Sequence, residues 1–308
     1  MLAEIPFIPT PRIDLPFTIP VLGVDHLEPF GLIVAIGVLL GMQVCLKYAK
    51  VKNLDEYMAR DQMFWLLVFG FIISHWISVL FYFPEKVSED PWVLLKIWNG
   101  LSSVGGFFGA FIGMNWYLWR MRQPVLVYAD MNIMGLLIGE TMGRLGCSVV
   151  HDHPGKIVAP DTFMAMPWGC RCEDGWIQSS CCINEVWRYD LGLMEFLFLV
   201  VLCLFIYFVY PWRTSKPGKI TGLVAATYGV ARFCFDFFRE TEVSRGVGAP
   251  DMRYLGLTPA QYFSLAFVAV GLWLLFVRKA KDGDTKWALD SERIAREKAA
   301  AESATPAA

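Results

Sequence analysis

The sequence predicts an all-α integral membrane protein of seven transmembrane helices, with a loop subdomain between helices four and five. Three observations carry that prediction. Over 308 residues the chain is 56% hydrophobic and 15% aromatic, too apolar for a soluble chain of this length. Its apolar residues gather into runs of the roughly 20 residues that a helix needs to cross a hydrocarbon core of about 30 Å. Between the runs, Lys and Arg collect in alternate connections, as they do on the cytoplasmic side of a bilayer.

Taken in order, residues 1–26 form an arm with Pro6, Pro9, Pro11, Pro16 and Pro20. It lacks the basic start and apolar core of a cleavable signal peptide, so it reads as an extended segment at the outer interface. The apolar runs follow at 27–47, 62–83, 98–119, 125–144, 191–210, 220–238 and 259–276. Gly105, Gly106, Gly109 and Gly113 in the third are the kind of residue that lets membrane helices pack closely. The membrane domain is 27–278, with the loop subdomain at about 145–190. Lys47, Lys50, Lys52 and Arg60, then Arg120 and Arg122, then Arg213, Lys216 and Lys219, and finally the cations after residue 277 all belong on one face. That face is the cytoplasm, which places the N-terminus in the periplasm and the C-terminus in the cytoplasm. Residues 279–308, rich in Ala and charge, read as a disordered cytoplasmic tail.

The cysteines agree with this orientation. Cys170, Cys172, Cys181 and Cys182 fall in the outer loop, where an oxidising compartment favours disulfides. Two bridges among four thiols can form in three ways, and spacing does not choose among them. A zinc site using these thiols with His151 and His153 is the alternative. Cys45, Cys203 and Cys234 fall within apolar runs and read as small apolar filler.

Charges inside apolar runs need a stronger reason, since each costs roughly 2.5 to 3.5 kcal/mol on insertion scales and should face a partner or a wet cavity. In TYGVARFCFDFFRE, residues 227–240, a helical rotation of about 100° per residue gathers Tyr228, Arg232, Asp236 and Arg239 into one sector of roughly 80°. Glu140 and Arg144 stand four apart and can pair, and Glu195 lies one turn inside the fifth run, behind Asp190. Arg144, Arg232 and Arg239 together point to surplus positive charge around a cavity that would take a phosphate, which Arg binds through two parallel hydrogen bonds. At that depth the accessible phosphate is a lipid headgroup.

Five segments resemble one family. GRLG at 143–146 followed by Gly155, YGVARFCFDFFR at 228–239, YDLGLME at 189–195, GLTPAQYFS at 256–264 and FGLIVAIGVLLG at 30–41 are similar to the signatures of prolipoprotein diacylglyceryl transferase. The resemblance implies a multi-pass enzyme of the bacterial inner membrane. Such an enzyme moves the diacylglyceryl group of phosphatidylglycerol to the thiol of a lipobox cysteine in a preprolipoprotein and releases glycerol phosphate. Its partners would be phosphatidylglycerol, the lipobox segment and membrane lipids, with no nucleic acid, no cofactor and no metal. By position, Arg144, Arg239 and Tyr228 take catalytic roles, and Arg144, Arg232, Asp236, Glu195, Gly105, Gly106 and Gly155 take substrate-binding ones. An active site of preplaced arginines would stabilise the departing phosphate, and the incoming thiol must lose its proton to become a nucleophile.

The departures from the pattern are specific. Val104 stands where the family has a histidine, Cys147 where it has asparagine, and Val150, His151 and Asp152 where it has Asn-Gly-Glu, while Phe30 replaces a tyrosine. His151, oriented by Asp152 or Asp236, is therefore the expected substitute base, with His75, beside Ser74 and Ser78, the second candidate. The alternatives are a divergent paralogue acting on another anionic lipid or acceptor, and a non-catalytic lipid-binding membrane protein that kept the phosphate site. A transporter is disfavoured by the lack of an internal repeat.

Overall fold

A computed structural model of the chain describes residues 13–19, 24–82, 84–95, 102–168, 170–172, 175–177, 186–240 and 253–278. In chain order, β1 (Ile13–Ile19) and β2 (Val24–Leu27) precede the helices α1 (Pro29–Val51), α2 (Glu56–Ile77), a short α3 (Pro84–Glu89), α4 (Ser103–Arg120) and α5 (Val125–Val150). Five strands follow: β3 (Pro154–Ile157), β4 (Ala165–Trp168), β5 (Cys170–Cys172), β6 (Gly175–Ile177) and β7 (Val186–Asp190). The chain then continues through α6 (Leu191–Leu204), α7 (Lys219–Phe235) and α8 (Pro259–Leu272). By length and composition, five helices can cross a membrane: those beginning at Pro29, Glu56, Val125, Leu191 and Pro259. This is a mostly helical, multi-pass membrane protein. α4 and α7, of 18 and 17 residues, do not reach the same measure.

Local chemistry sets where the helices start. Asp55 accepts from the backbone N–H groups of Tyr57 and Met58 at the head of α2, and Ser102 accepts from Gly105 at the head of α4. Asp190 accepts from Leu193 and starts α6. Thr258 and Gln261 form a reciprocal capping box at α8, with Pro259 in the first turn. Each such cap satisfies helix-end donors that have no partner within the helix.

The chain divides into two compact units. One comprises Met42–Asn132 and Lys279–Ala308, and within it α2 packs on α4. A Cβ at Gly109 would lie 2.4 Å from the carbonyl oxygen of Phe69, so α4 reaches this distance only because the position has no side chain. Ser74 Oγ donates to the Ser102 carbonyl at 2.7 Å, and Ser102 N–H donates back to the Ser74 carbonyl at 3.3 Å. His75 is fully buried, its Nε2 2.7 Å from the Val93 carbonyl oxygen. It is thus a packed histidine with a backbone partner.

The other unit, Met1–Gly41 with Ile133–Arg278, holds every strand among the described residues and the charged residues of interest. β1 and β2 form an antiparallel hairpin, β7 lies between β3 and β4 in a three-stranded antiparallel sheet, and β5 pairs with β6. α7 packs along α8.

Several boundaries differ from the sequence reading. The N-terminal arm is a paired hairpin rather than a lone extended segment, and Leu27 closes β2 instead of opening a helix. The fourth apolar run does not end at Arg144, because α5 continues to Val150. The sixth leaves α-geometry after Phe235 and tightens into a 3-10 turn at Asp236–Phe238. Cys45 and Cys203 are buried, but Cys234 is exposed. The side chains of Cys170 and Cys172, the whole of Cys181 and Cys182, residues 1–12 and the tail 279–308 lie outside the described residues, as does the side chain of Val104.

Candidate active site

Three helices and one turn bring six charged side chains into a continuous chain of ion pairs. On α5, Arg144 Nε lies 3.0 Å from Glu140 and 3.0 Å from Glu195 of α6. Glu195 then receives Arg232 of α7 at 3.1 Å, and the Tyr228 hydroxyl approaches it at 3.5 Å. Arg232 also lies 3.5 Å from Asp236, which holds Arg239 at 3.0 Å. The Thr258 hydroxyl, at the cap of α8, donates to the other Asp236 oxygen.

Burial gives this chain a direction. The side chains of Glu195 and Asp236 are 1% and 0% exposed, whereas those of Arg144, Arg232 and Arg239 are 14%, 13% and 24% exposed. The two carboxylates therefore lie beneath the guanidinium groups and hold them from behind. This corrects one expectation: the cluster carries no surplus of positive charge among the described residues, since three arginines face three carboxylates. What it offers an anion is oriented donors, because a guanidinium has five N–H groups in a fixed fork.

The sheet closes one side. Gly155 in β3 bridges to Arg239 through backbone pairing, and a Cβ there would meet Tyr189 Cβ at 2.8 Å and the Phe238 carbonyl at 2.9 Å. Arg188, from the centre of the sheet, is 1% exposed and donates to the Gly155 carbonyl at 2.9 Å and to Glu240 at 2.8 Å. On α1, the Phe30 ring lies where a Cβ at Gly146 would fall, 2.9 Å away. An apolar cavity of about 430 Å³, lined by Phe163, Met164, Tyr189, Met194, Leu197, Phe235 and Phe238, adjoins in sequence the charged positions Asp190, Glu195, Asp236 and Arg239.

A family comparison decides the lineage. Residues 17–277 match the family model described as prolipoprotein diacylglyceryl transferase. The chain belongs to this family. Among curated members, it is 28% identical over 277 residues to the phosphatidylglycerol–prolipoprotein diacylglyceryl transferase of Roseobacter denitrificans, covering 84% of this chain and 93% of that protein. It is 27% identical over 263 residues to the enzyme of that name from Polaromonas naphthalenivorans, covering 84% and 90%, and 28% identical over 288 residues to that of Cereibacter sphaeroides, covering 87% and 97%.

Arg144, Glu195, Tyr228, Arg232, Asp236 and Arg239 thus meet in one cluster, with Gly155 at its edge. Gly105 and Gly106 lie in the first turn of α4, in the other unit, where a Cβ at Gly105 would stand 2.8 Å from Ser74 Cα. His151 is 3% exposed, packed edge-on against Trp168 with ring centroids 5.2 Å apart, and its Nδ1 is 3.6 Å from Asp190. Neither carboxylate expected to orient it does so: Asp152 accepts from His153, and Asp236 is held by the arginines and Thr258. Sequence reasoning assigned no role to Arg188 or Thr258. A lone arginine in a short polar segment and a threonine before proline carry no periodic signal, and only strand pairing and capping reveal their partners.

Proposed function

We propose that the chain transfers the diacylglyceryl group of phosphatidylglycerol to the cysteine thiol of a prolipoprotein, forming a thioether and releasing glycerol phosphate. The observation that carries this reading is the row of Arg144, Arg232 and Arg239, held on buried carboxylates and only partly covered. In the reaction, the thiolate sulfur attacks the terminal glyceryl carbon, the carbon to phosphate-oxygen bond breaks, and its electron pair passes to the phosphate. Charge grows on that phosphate in the transition state, and donors oriented beforehand need not reorganise to meet it. Glu195, met by the Tyr228 hydroxyl, fixes Arg144 and Arg232, and Asp236 with Thr258 fixes the turn that carries Arg239. Gly155 admits the close approach of β3. The apolar cavity suits part of an acyl chain or an apolar residue of the lipobox segment. His151 serves as a positioning residue, holding the turn after α5 against Trp168.

The same reading takes α4 and α7 as two further crossings, giving seven in all, with the β3 to β7 region as a periplasmic subdomain in the bacterial inner membrane. The clustering of Lys and Arg in alternate connections supports that topology.

Incubating the purified protein with phosphatidylglycerol and a lipobox peptide tests the reading by mass. A diacylglyceryl gain on the peptide thiol is expected, and Arg144→Ala should reduce its rate roughly 100-fold or more. No gain under conditions in which a proven transferase works would refute it.

A further inference from the structure

We propose that Cys147, Asp152 and His153 form a binding site for a divalent transition metal, with zinc as its expected occupant, whose open position takes the acceptor thiol as thiolate. The first half concerns this chain alone, and the second rests on the transferase reading above.

The site arises from the unexpected length of α5. Because the helix runs to Val150, Cys147 stays helical and stands three residues beyond Arg144, on the same face. His151 then adopts a left-handed conformation, φ 52°, which turns the chain back over the helix end. Asp152 N–H donates to the Cys147 carbonyl at 3.4 Å, and Leu191 N–H donates to the His153 carbonyl at 3.2 Å. These bonds bring the Cys147 Sγ, an Asp152 carboxylate oxygen and a His153 ring nitrogen within 4.8 Å of one another. That spread is compatible with zinc–ligand bonds of about 2.0 to 2.3 Å to a shared ion. Ligation would replace the contact that His153 Nδ1 now makes with Asp152, releasing protons as metal binding to such groups does.

The donor set and its exposure choose the kind of site. Thiolate with imidazole and carboxylate suits zinc better than magnesium or calcium, which prefer oxygen alone. Cys147 is 7% exposed, while the side chains of Asp152 and His153 are 43% and 27% exposed. One side of the trio therefore faces inward and the other outward. Three protein ligands with a fourth position open is the pattern of catalytic rather than structural zinc.

Such a site answers a need the rest of the cluster leaves open. The thiol must be deprotonated, yet His151 is buried against Trp168, and Glu195 and Asp236 are held by the arginines. A metal held by these residues would supply Lewis acidity that favours the thiolate form of an acceptor thiol, one helical turn from Arg144, which would meet the departing phosphate.

The test uses the full-length protein in detergent, stripped with a chelator and titrated with cobalt(II) chloride. A thiolate-to-cobalt charge-transfer band saturating at one equivalent per chain is expected. Cys147→Ser should abolish it, and Asp152→Asn or His153→Gln should weaken cobalt binding at least tenfold. Serine at Cys170, Cys172, Cys181 and Cys182 together should leave the band in place. No band in protein that elutes as a single folded species, or a band that survives Cys147→Ser, overturns the site. A lipobox peptide should shift the band where the same peptide with serine for cysteine does not; an unshifted band overturns the acceptor half. A cobalt band in protein that transfers no lipid, under conditions in which a proven transferase works, supports the metal site while refuting the transferase reading. Full transfer activity in chelated enzyme overturns the catalytic role of the metal.

Discussion

Asp236 shows how one side chain can hold a site. It is completely buried, and its carboxylate meets Arg232, Arg239 and the Thr258 hydroxyl. Removing one partner from a buried ion pair leaves the other charges uncompensated, at a cost of about 3 to 5 kcal/mol. Asp236→Ala should therefore lower stability against denaturant in detergent by about 3 kcal/mol and release Arg239 from its turn. Arg144 makes a different case. Arg144→Lys keeps the charge but loses the planar fork that matches a phosphate, so the transfer rate should fall at least tenfold while the protein stays folded. A lysine variant with unchanged rate would mean that charge alone, without bidentate geometry, serves this position.

At the scale of elements, α2 and α4 pack closely through a glycine. Gly109 sits so near the Phe69 carbonyl that even one methyl group must push the helices apart, and overpacking of this kind costs roughly 1 to 3 kcal/mol. Gly109→Val should lower the yield of folded protein and its thermal midpoint in detergent. Under the proposed function, the pairing of β3 with the turn after α7 is expected to affect catalysis more than folding. Gly155→Ala would press on Tyr189 and the Phe238 carbonyl, and so displace Arg239, the next residue. Its expected signature is a loss in kcat greater than the loss in thermal stability, measured on the same preparation.

For the whole molecule, the testable property is topology. Reporter domains fused after Arg122, after Ser215 and after Arg278 should all report the cytoplasm, and one inserted at Phe163 the periplasm. A reporter at Phe163 that is active on the cytoplasmic side would invert the arrangement and with it the compartment of the arginine row. The acceptor and the lipid headgroup must meet at one membrane face, so this single measurement constrains every role assigned above.

The membrane class, five of the seven apolar runs and the polar stripe from Tyr228 to Arg239 were legible in the chain, because hydrophobic length and helical period are local properties that survive without a partner. The family signatures were legible for the same reason, being short and contiguous. Nothing local revealed that α5 continues to Val150, since a polar Arg144 looks like an end when its partner Glu195, on another helix, is not yet in place. Nor could spacing show that Asp152 would turn toward His153 and Cys147 and away from His151, because a single left-handed residue redirects the chain there. The balance of charge was also decided late: the sequence counts arginines, but only the packing of α6 and α7 puts Glu195 and Asp236 beneath them, where low exposure makes each carboxylate hold its arginine firmly.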